Sequence, residues 1–437
     1  MKVKCVMERD TFVKKFKPSS LISIPILIFL VAYIVTLIML PGHITLLKGE
    51  DYVLSLVSPL FLQAESKSDI LVLNNSSKKA VTAFENPYTV KAVDEGVAKL
   101  DLRMFGIIPV KTVEVRSIVS QQVLASGNPI GIRLKTNGIV IINVSSVITE
   151  KGIKVSPAET AGLLTGDILV KAGGRELRSI RDLLDVVENS EGKPLELVYK
   201  RQNSQYTTTI TPIKSGDDDK YRIGIWVRDS SAGIGTLTFV DPVKKVYGAL
   251  GHGINDIDTG ALLQVGSGEL LESSIQGIKK GVKGAPGELE GDFLLNPHVI
   301  GDILLNCDYG VFGHFSDNSI KNWGRPMQIG PHSMVHEGEA SILTCINDKE
   351  VKEYKIEIQK INRFDLNSTK NLVICITDKR LLDATGGIVQ GMSGSPIIQD
   401  GRLVGAVTHV FINDPTRGYG VFIESMLNKS NSITKSK

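Results

Sequence analysis

The run LISIPILIFLVAYIVTLIML, Leu21 to Leu40, carries no charge over 20 residues. A helix of that length covers the ~30 Å hydrocarbon core of a bilayer, so one membrane anchor is expected at 21–41. Pro25, near one end, is tolerable there. The tail 1–20 carries Lys2, Lys4, Arg9, Lys14, Lys15 and Lys17 against Glu8 and Asp10, whereas the flank PGHITLLKGEDY has one lysine and two acids. The positive-inside rule then puts the tail in the cytosol and everything after Pro41 outside. A cleaved signal peptide is the rival, but its apolar core is usually shorter and no A-x-A site follows. An uncleaved anchor is the expectation.

The exported remainder reads as folded and mainly β. The chain has 437 residues, with 42% apolar and 22% charged, which fits two or three packed domains. Net charge is +3, from 50 Lys+Arg and 47 Asp+Glu, which argues against a phosphate-dominated nucleic-acid binder. Glycine at 42 residues without a repeat points to turns and strand corners. Cys5, Cys307, Cys345 and Cys375 form no C-x-x-C pair; the last three read as buried free thiols, with one disulfide among them the open alternative. His332 and His336 in HSMVHE stand four apart, but Gly330-Pro331 and Gly338 leave barely one helical turn and no third ligand is evident. Neither a metal nor a cofactor is expected.

Residues 42–119 read as a juxtamembrane spacer leading into a small β-rich region, since KTVEVRSIV alternates as strands do. GIRLKTNGIVIINVSSV suggests two strands around an Asn-Gly turn. SPAETAGLLTGDILVKAGGREL follows, then IRDLLDVVENS with Ile180, Leu183, Leu184 and Val187 on one helical face. Residues 120–215 thereby resemble a bacterial PDZ domain of the α+β kind attached to exported proteases. The resemblance puts Gly131, Ile132, Arg133 and Leu134 at a peptide carboxylate-binding loop, where glycine-loop amides hold the terminus and a strand edge takes the peptide. Asp217-Asp218-Asp219 marks a boundary before a last domain at 220–437.

That last domain carries the chemistry. Gly391-Met392-Ser393-Gly394-Ser395-Pro396 enters a hairpin through Asp400-Gly401. A serine between glycines on a sharp turn suits a nucleophile, with the Gly391 and Ser393 amides facing one developing oxyanion. The base is His252, in Ala249-Leu250-Gly251-His252-Gly253; His409, on a strand, reads as a wall or core residue. For an orienting carboxylate Asp378, Asp383, Asp302, Asp256 and Asp258 all stand open.

ALGHGINDIDTG with TGGIVQGMSGSPIIQDGRLVGAVTHVFINDPTRGYG resembles the stage IV sporulation protein B serine peptidases, as does the order tail, span, spacer, PDZ, peptidase. The resemblance implies a chymotrypsin-like double β-barrel with a triad of His252, Asp378 and Ser393. The general chymotrypsin order places the aspartate nearer the histidine, which keeps Asp302 in reserve. By the same analogy Gly405, Val407 and Thr408 pair with substrate, and Gly418 and Gly420 line a side-chain pocket. The resemblance also implies an endopeptidase in the space between forespore and mother cell. It would cleave itself and a regulatory membrane protein, and so release the late mother-cell sigma factor. Two other readings stay open: a non-catalytic PDZ scaffold with a degenerate barrel, and a general envelope quality-control protease.

Overall fold

The computed structural model describes residues 18–57, 62–75, 85–202, 204–292, 298–316, 318, 320–363 and 365–434. They form two compact units, 1–119 and 120–437. The basic tail through residue 17, Cys5 included, lies outside the described residues.

In the first unit the expected anchor segment is a helix, Pro18–Met39. Its side chains are described from Ile24, and Ile26, Leu27, Ile28, Leu30 and Val31 all lie exposed. Among the described residues no helix is long and apolar enough to cross a membrane. The transmembrane span expected at 21–41 is therefore not found as such; an outwardly apolar helix stands in its place. Its last turns are covered instead by protein. Tyr33, Leu37 and Leu40 pack into a core with Leu100, Leu102, Met104 and Val110.

The expected spacer is a folded β unit. One sheet runs His43–Leu47, Ile108–Ile118, Gly96–Met104, Leu62–Ser66, with its first two strands parallel. A second holds Asp51–Val57, Glu85–Ala92 and Leu71–Asn75. Alternation along residues 112–117 buries Val113, Val115 and Ser117 and leaves Thr112 and Arg116 exposed, which is why this segment folds as a one-sided strand.

The second unit is organised by two long antiparallel strands, Pro129–Val144 and Ile225–Asp241. One half of each, Ile139–Val144 with Ile225–Arg228, extends a sheet through Ile168–Ala172, Leu195–Arg201 and Ser204–Ile210. The helix Ile180–Asn189, capped by Ser179, covers that sheet, and this is the PDZ module. In its Gly166-Asp167 turn Asp167 is buried and gripped by Arg201 Nε and Nη2 at 2.7 and 2.8 Å. The other half of each long strand pairs with Val265–Glu272, Val246–Ala249 and Gln122–Ala125 as the first barrel sheet.

Asn137-Gly138 accordingly makes no hairpin. Gly138, at φ +114°, bends one continuous strand where a Cβ would meet Leu169 O at 2.6 Å. Register shifts at Trp226/Val227 and Arg228/Ser230 bend the partner strand at the same place. The PDZ module hangs on barrel strands, and residues 122–136, read as PDZ from the sequence, serve the barrel.

The second barrel closes through Gly338–Cys345, Val351–Ile361, Leu372–Ile376, Asp414–Phe422, Arg402–Phe411 and Pro396–Gln399. Ile342, Ile358, Leu372, Ile374, Ile397 and Val407 fill it. The expected double barrel is thus half realised. The first sheet stays open, because its long strands run out into the PDZ sheet.

Candidate active site

Ser393 sits on a turn that only glycine can build. Gly391 and Gly394 have φ of +95° and +96°. A Cβ on Gly394 would lie 2.1 Å from Thr236 O and 2.6 Å from Leu250 N, so two backbones approach each other here. The first sheet clamps the turn through Thr236 Oγ1 to Gly391 O at 2.7 Å, Thr238 Oγ1 to Gly394 O at 2.8 Å, and Thr236 N to Ser393 O at 3.0 Å. Gly394 N donates to Val407 O at 2.8 Å from the other side. Among the described residues the Gly391 and Ser393 amides donate to nothing, which is what an oxyanion site requires.

The same Thr236 carbonyl accepts from Leu250 N at 3.2 Å and so fixes the turn that carries His252. Leu250 and Gly251 both have positive φ, +69° and +70°. Gly251 lies where a Cβ would meet Thr408 Cγ2 at 3.0 Å and Val407 O at 3.2 Å. His252 Nδ1 faces the carbonyl of Gly253 at 2.8 Å. A carbonyl only accepts, so the proton is on Nδ1 and Nε2 keeps its lone pair. Burial holds the His252 pKa below the ordinary imidazole value, which keeps it neutral and basic near pH 7. Asn306 locks the following residue by pairing with both Ile254 N and Ile254 O at 2.8 Å.

In this resting geometry Ser393 Oγ donates to Thr408 O at 2.7 Å. The next residue, His409, lays its ring 4.7 Å from that of His252, at 33°. Burial, with His252 and Lys370 nearby, pushes the His409 pKa down to about 4. Serine turn, His252 and His409 thus meet between the two sheets. His409, read from the sequence as a wall residue, touches the base.

The carboxylates are elsewhere. Asp378 caps the helix Lys379–Thr385, accepting from Arg380 N and Nε at 3.0 Å, Arg380 Nη2 at 2.7 Å and Lys355 N at 3.2 Å. Arg380 chiefly holds its pKa at about 2. It makes no bond to His252, because helix cap and guanidinium already occupy both oxygens. Asp302 accepts from His314 N at 2.6 Å and faces His314 Nδ1 at 3.2 Å. Both triad expectations for a carboxylate are therefore corrected, and the group that orients His252 is a backbone carbonyl.

Of the expected substrate contacts, Thr408 and Val407 border the site, Thr408 by accepting from the Ser393 hydroxyl. Val407 spends its N–H on Ser395 O and its carbonyl on Gly394 N. Gly405, Gly418 and Gly420 are buried spacers; a Cβ there would meet Val421 O at 2.5 Å, His409 O at 2.5 Å and Ile397 Cδ1 at 2.8 Å. The strand bulges between Val407 and Val410, which leaves Thr408 and His409 outside the ladder.

Gly131, Ile132, Arg133 and Leu134 are also relocated. They lie mid-strand, paired on one edge to Ile234–Ser231 and on the other to Leu271–Gly268, so they form no carboxylate loop. Among the described residues the PDZ sheet has two outer strands, Ser204–Ile210 and Ile225–Arg228; the latter lies beside the helix Ile180–Asn189 and follows Gly224 at φ +74°. His332 and His336 go to separate carboxylates, Glu424 and Asp400. Cys307, Cys345 and Cys375 are free thiols.

Residues 219–427 match the SpoIVB peptidase S55 family, and residues 149–201 match a PDZ domain. Serine protease HTRA1 of Xenopus tropicalis is 37% identical over 70 residues, 16% of this chain and 15% of that protein. A protein named as a zinc metalloprotease in Bartonella henselae is 37% identical over 90 residues, 21% of this chain and 24% of that one. The chain spans less than a quarter of either relative's length. The solved PDZ domain of an SdrC-like protein from Listeria monocytogenes is 18% identical over 21% of this chain and 87% of that one, with a TM-score of 0.17.

Proposed function

Since the chain carries a SpoIVB peptidase S55 domain beside a PDZ domain, we propose that it is a serine endopeptidase whose nucleophile is Ser393. One observation carries this reading. A serine between two undonated amides is clamped by the same strand that holds a neutral histidine turn. Ser393 Oγ leaves Thr408 O by a side-chain rotation and attacks a peptide carbonyl while His252 Nε2 takes its proton. The tetrahedral oxygen is held by the Gly391 and Ser393 amides. His252 then gives the proton to the leaving amine, and water repeats the sequence on the acyl-enzyme.

The wider reading is an anchored, exported signalling protease of sporulation that cleaves itself and a regulatory membrane protein. The exposed apolar side chains along Ile24–Met39 support an anchor, since an apolar helix surface needs lipid or protein around it. The unpartnered edge at Ile225–Arg228 supports peptide capture by strand addition.

A non-catalytic scaffold remains the alternative favoured by one contact, the Ser393 hydroxyl resting on Thr408 O. A fluorophosphonate probe separates the two. The full chain should gain one adduct on Ser393, lost in Ser393→Ala and in His252→Ala. An unlabelled, folded wild-type chain overturns the peptidase reading.

A further inference from the structure

The hairpin between Gly96–Met104 and Ile108–Ile118 ends in Phe105, Gly106, Ile107 and Ile108. Ile107 N closes the turn on Met104 O at 3.1 Å, with φ of +53° at Phe105 and +74° at Gly106. Asn, Asp or Gly normally fill the first of those two positions, and a bulky aromatic is a poor fit to it. Nor does the core claim these side chains: Phe105 is 62% exposed, Ile107 79% and Ile108 46%. Three large apolar residues on a solvent-facing turn, one of them in an unfavourable conformation, are explained by neither turn chemistry nor packing.

The direction of the strands supplies the occupant. His43–Leu47 leaves the end of the Pro18–Met39 helix and runs parallel to Glu114–Ile118, with His43 level with Glu114. Followed backwards, the partner strand passes the helix end at Lys111, whose Nζ donates to Leu37 O at 3.2 Å and Leu40 O at 2.5 Å. Four residues further back is Ile107, about 13 Å along an extended strand. The hairpin therefore runs back beside the helix. Tyr33 and Leu37 pack on the same core as Met104 and Val110, while Ile34, Val35, Ile38 and Met39 on the remaining helix surface are exposed.

We propose that the Phe105–Ile108 tip inserts into the lipid surface, a second membrane contact beside the helix. This rests on the anchor reading above, because the helix sets the level of the bilayer. Apolar tip and apolar helix surface lie on the same side of Lys111, whose Nζ, held on the Leu37 and Leu40 carbonyls, marks the polar boundary.

The test uses the full chain reconstituted in phosphatidylcholine–phosphatidylglycerol vesicles. Phe105→Trp and Ile107→Trp are each compared with the parent chain, whose own tryptophans are Trp226 and Trp323. Ile28→Trp, on the helix, reports the anchor. The expected result is a blue-shifted added emission at both tip positions that is lost when the lipids carry bromine on their acyl chains. The helix control should respond likewise. Quenching at Ile28→Trp with an unshifted, unquenched signal at both tip positions overturns the proposal and leaves the anchor intact. No quenching at any of the three overturns the anchor reading and the proposal together.

Discussion

Replacing Asp378 by asparagine separates a structural carboxylate from a catalytic one. The structure gives Asp378 two jobs, capping Lys379–Thr385 and pairing with Arg380. Its pKa falls from the ordinary 3.8 to about 2, mainly through the Arg380 hydrogen bonds. At ~1.36 kcal/mol per pH unit that gap corresponds to about 2 kcal/mol. The Arg380 side chain is 66% exposed, so water screens the pair and about 1–2 kcal/mol is the better expectation. Because the folded pKa is depressed, this stability is present above pH 4 and drains as pH falls from about 4 toward about 2. Asparagine keeps the cap and loses the charge. Asp378→Asn should therefore unfold about 1–2 kcal/mol more easily at pH 7 and lose that part of the acid sensitivity, measured by urea titration at several pH values. Its turnover of a peptide substrate, per folded site titrated with fluorophosphonate, should stay within about threefold. A triad aspartate changed to asparagine costs about 10⁴ in kcat. A loss of that order in a folded Asp378→Asn chain would return Asp378 to His252 and refute the assignment.

Activity should hold as pH drops to the ordinary imidazole value of 6.5 and fall only below it, because burial keeps His252 neutral; a pH–rate profile with its acid limb above 7 contradicts this. His409→Ala admits water to the His252 ring and should move that limb upward, with kcat changed less than the limb; an unmoved limb means the ring contact is idle. Gly394→Ala forces a Cβ to 2.1 Å from Thr236 O at a φ of +96° and should cost more than about 3 kcal/mol, abolishing probe labelling. Thr238→Val removes the hydroxyl that holds Gly394 O and should cost about 1–2 kcal/mol in chemical denaturation.

The chemistry that was legible in the sequence is the local part. Gly391 to Gly394 and Gly251-His252 are turns whose conformation follows from their own glycines, so their roles survive in three dimensions. The carboxylate expectation failed because His252 Nδ1 takes the carbonyl of its own neighbour, Gly253, while the candidate aspartates find other partners. Asp378 came from the family resemblance, against the chymotrypsin order, yet it stands next to its own helix and next to Arg380, and local partners took it. Gly131–Leu134 failed for the same reason. A glycine-containing strand and a glycine-containing loop read alike until the partners at Ile234 and Leu271 are known. Asn137-Gly138 carried a hairpin signal that the neighbouring Leu169 carbonyl converts into a bend. His409 escaped because a strand histidine shows its neighbour across the barrel only after folding.

The two long strands tie the PDZ module to the nucleophile by a covalent thread. The edge Ile225–Arg228 and the clamps Thr236 and Thr238 lie on one uninterrupted strand, about 30 Å apart at ~3.3 Å per residue. A module on a flexible tether can bind without its neighbour sensing it; here the bulges at Trp226/Val227 and Arg228/Ser230 share one backbone with the residues that grip Ser393. Any peptide that favours one shape of this strand changes the population of aligned serines. By thermodynamic reciprocity, a substrate seated at Ser393 alters the affinity of the PDZ edge by the same factor.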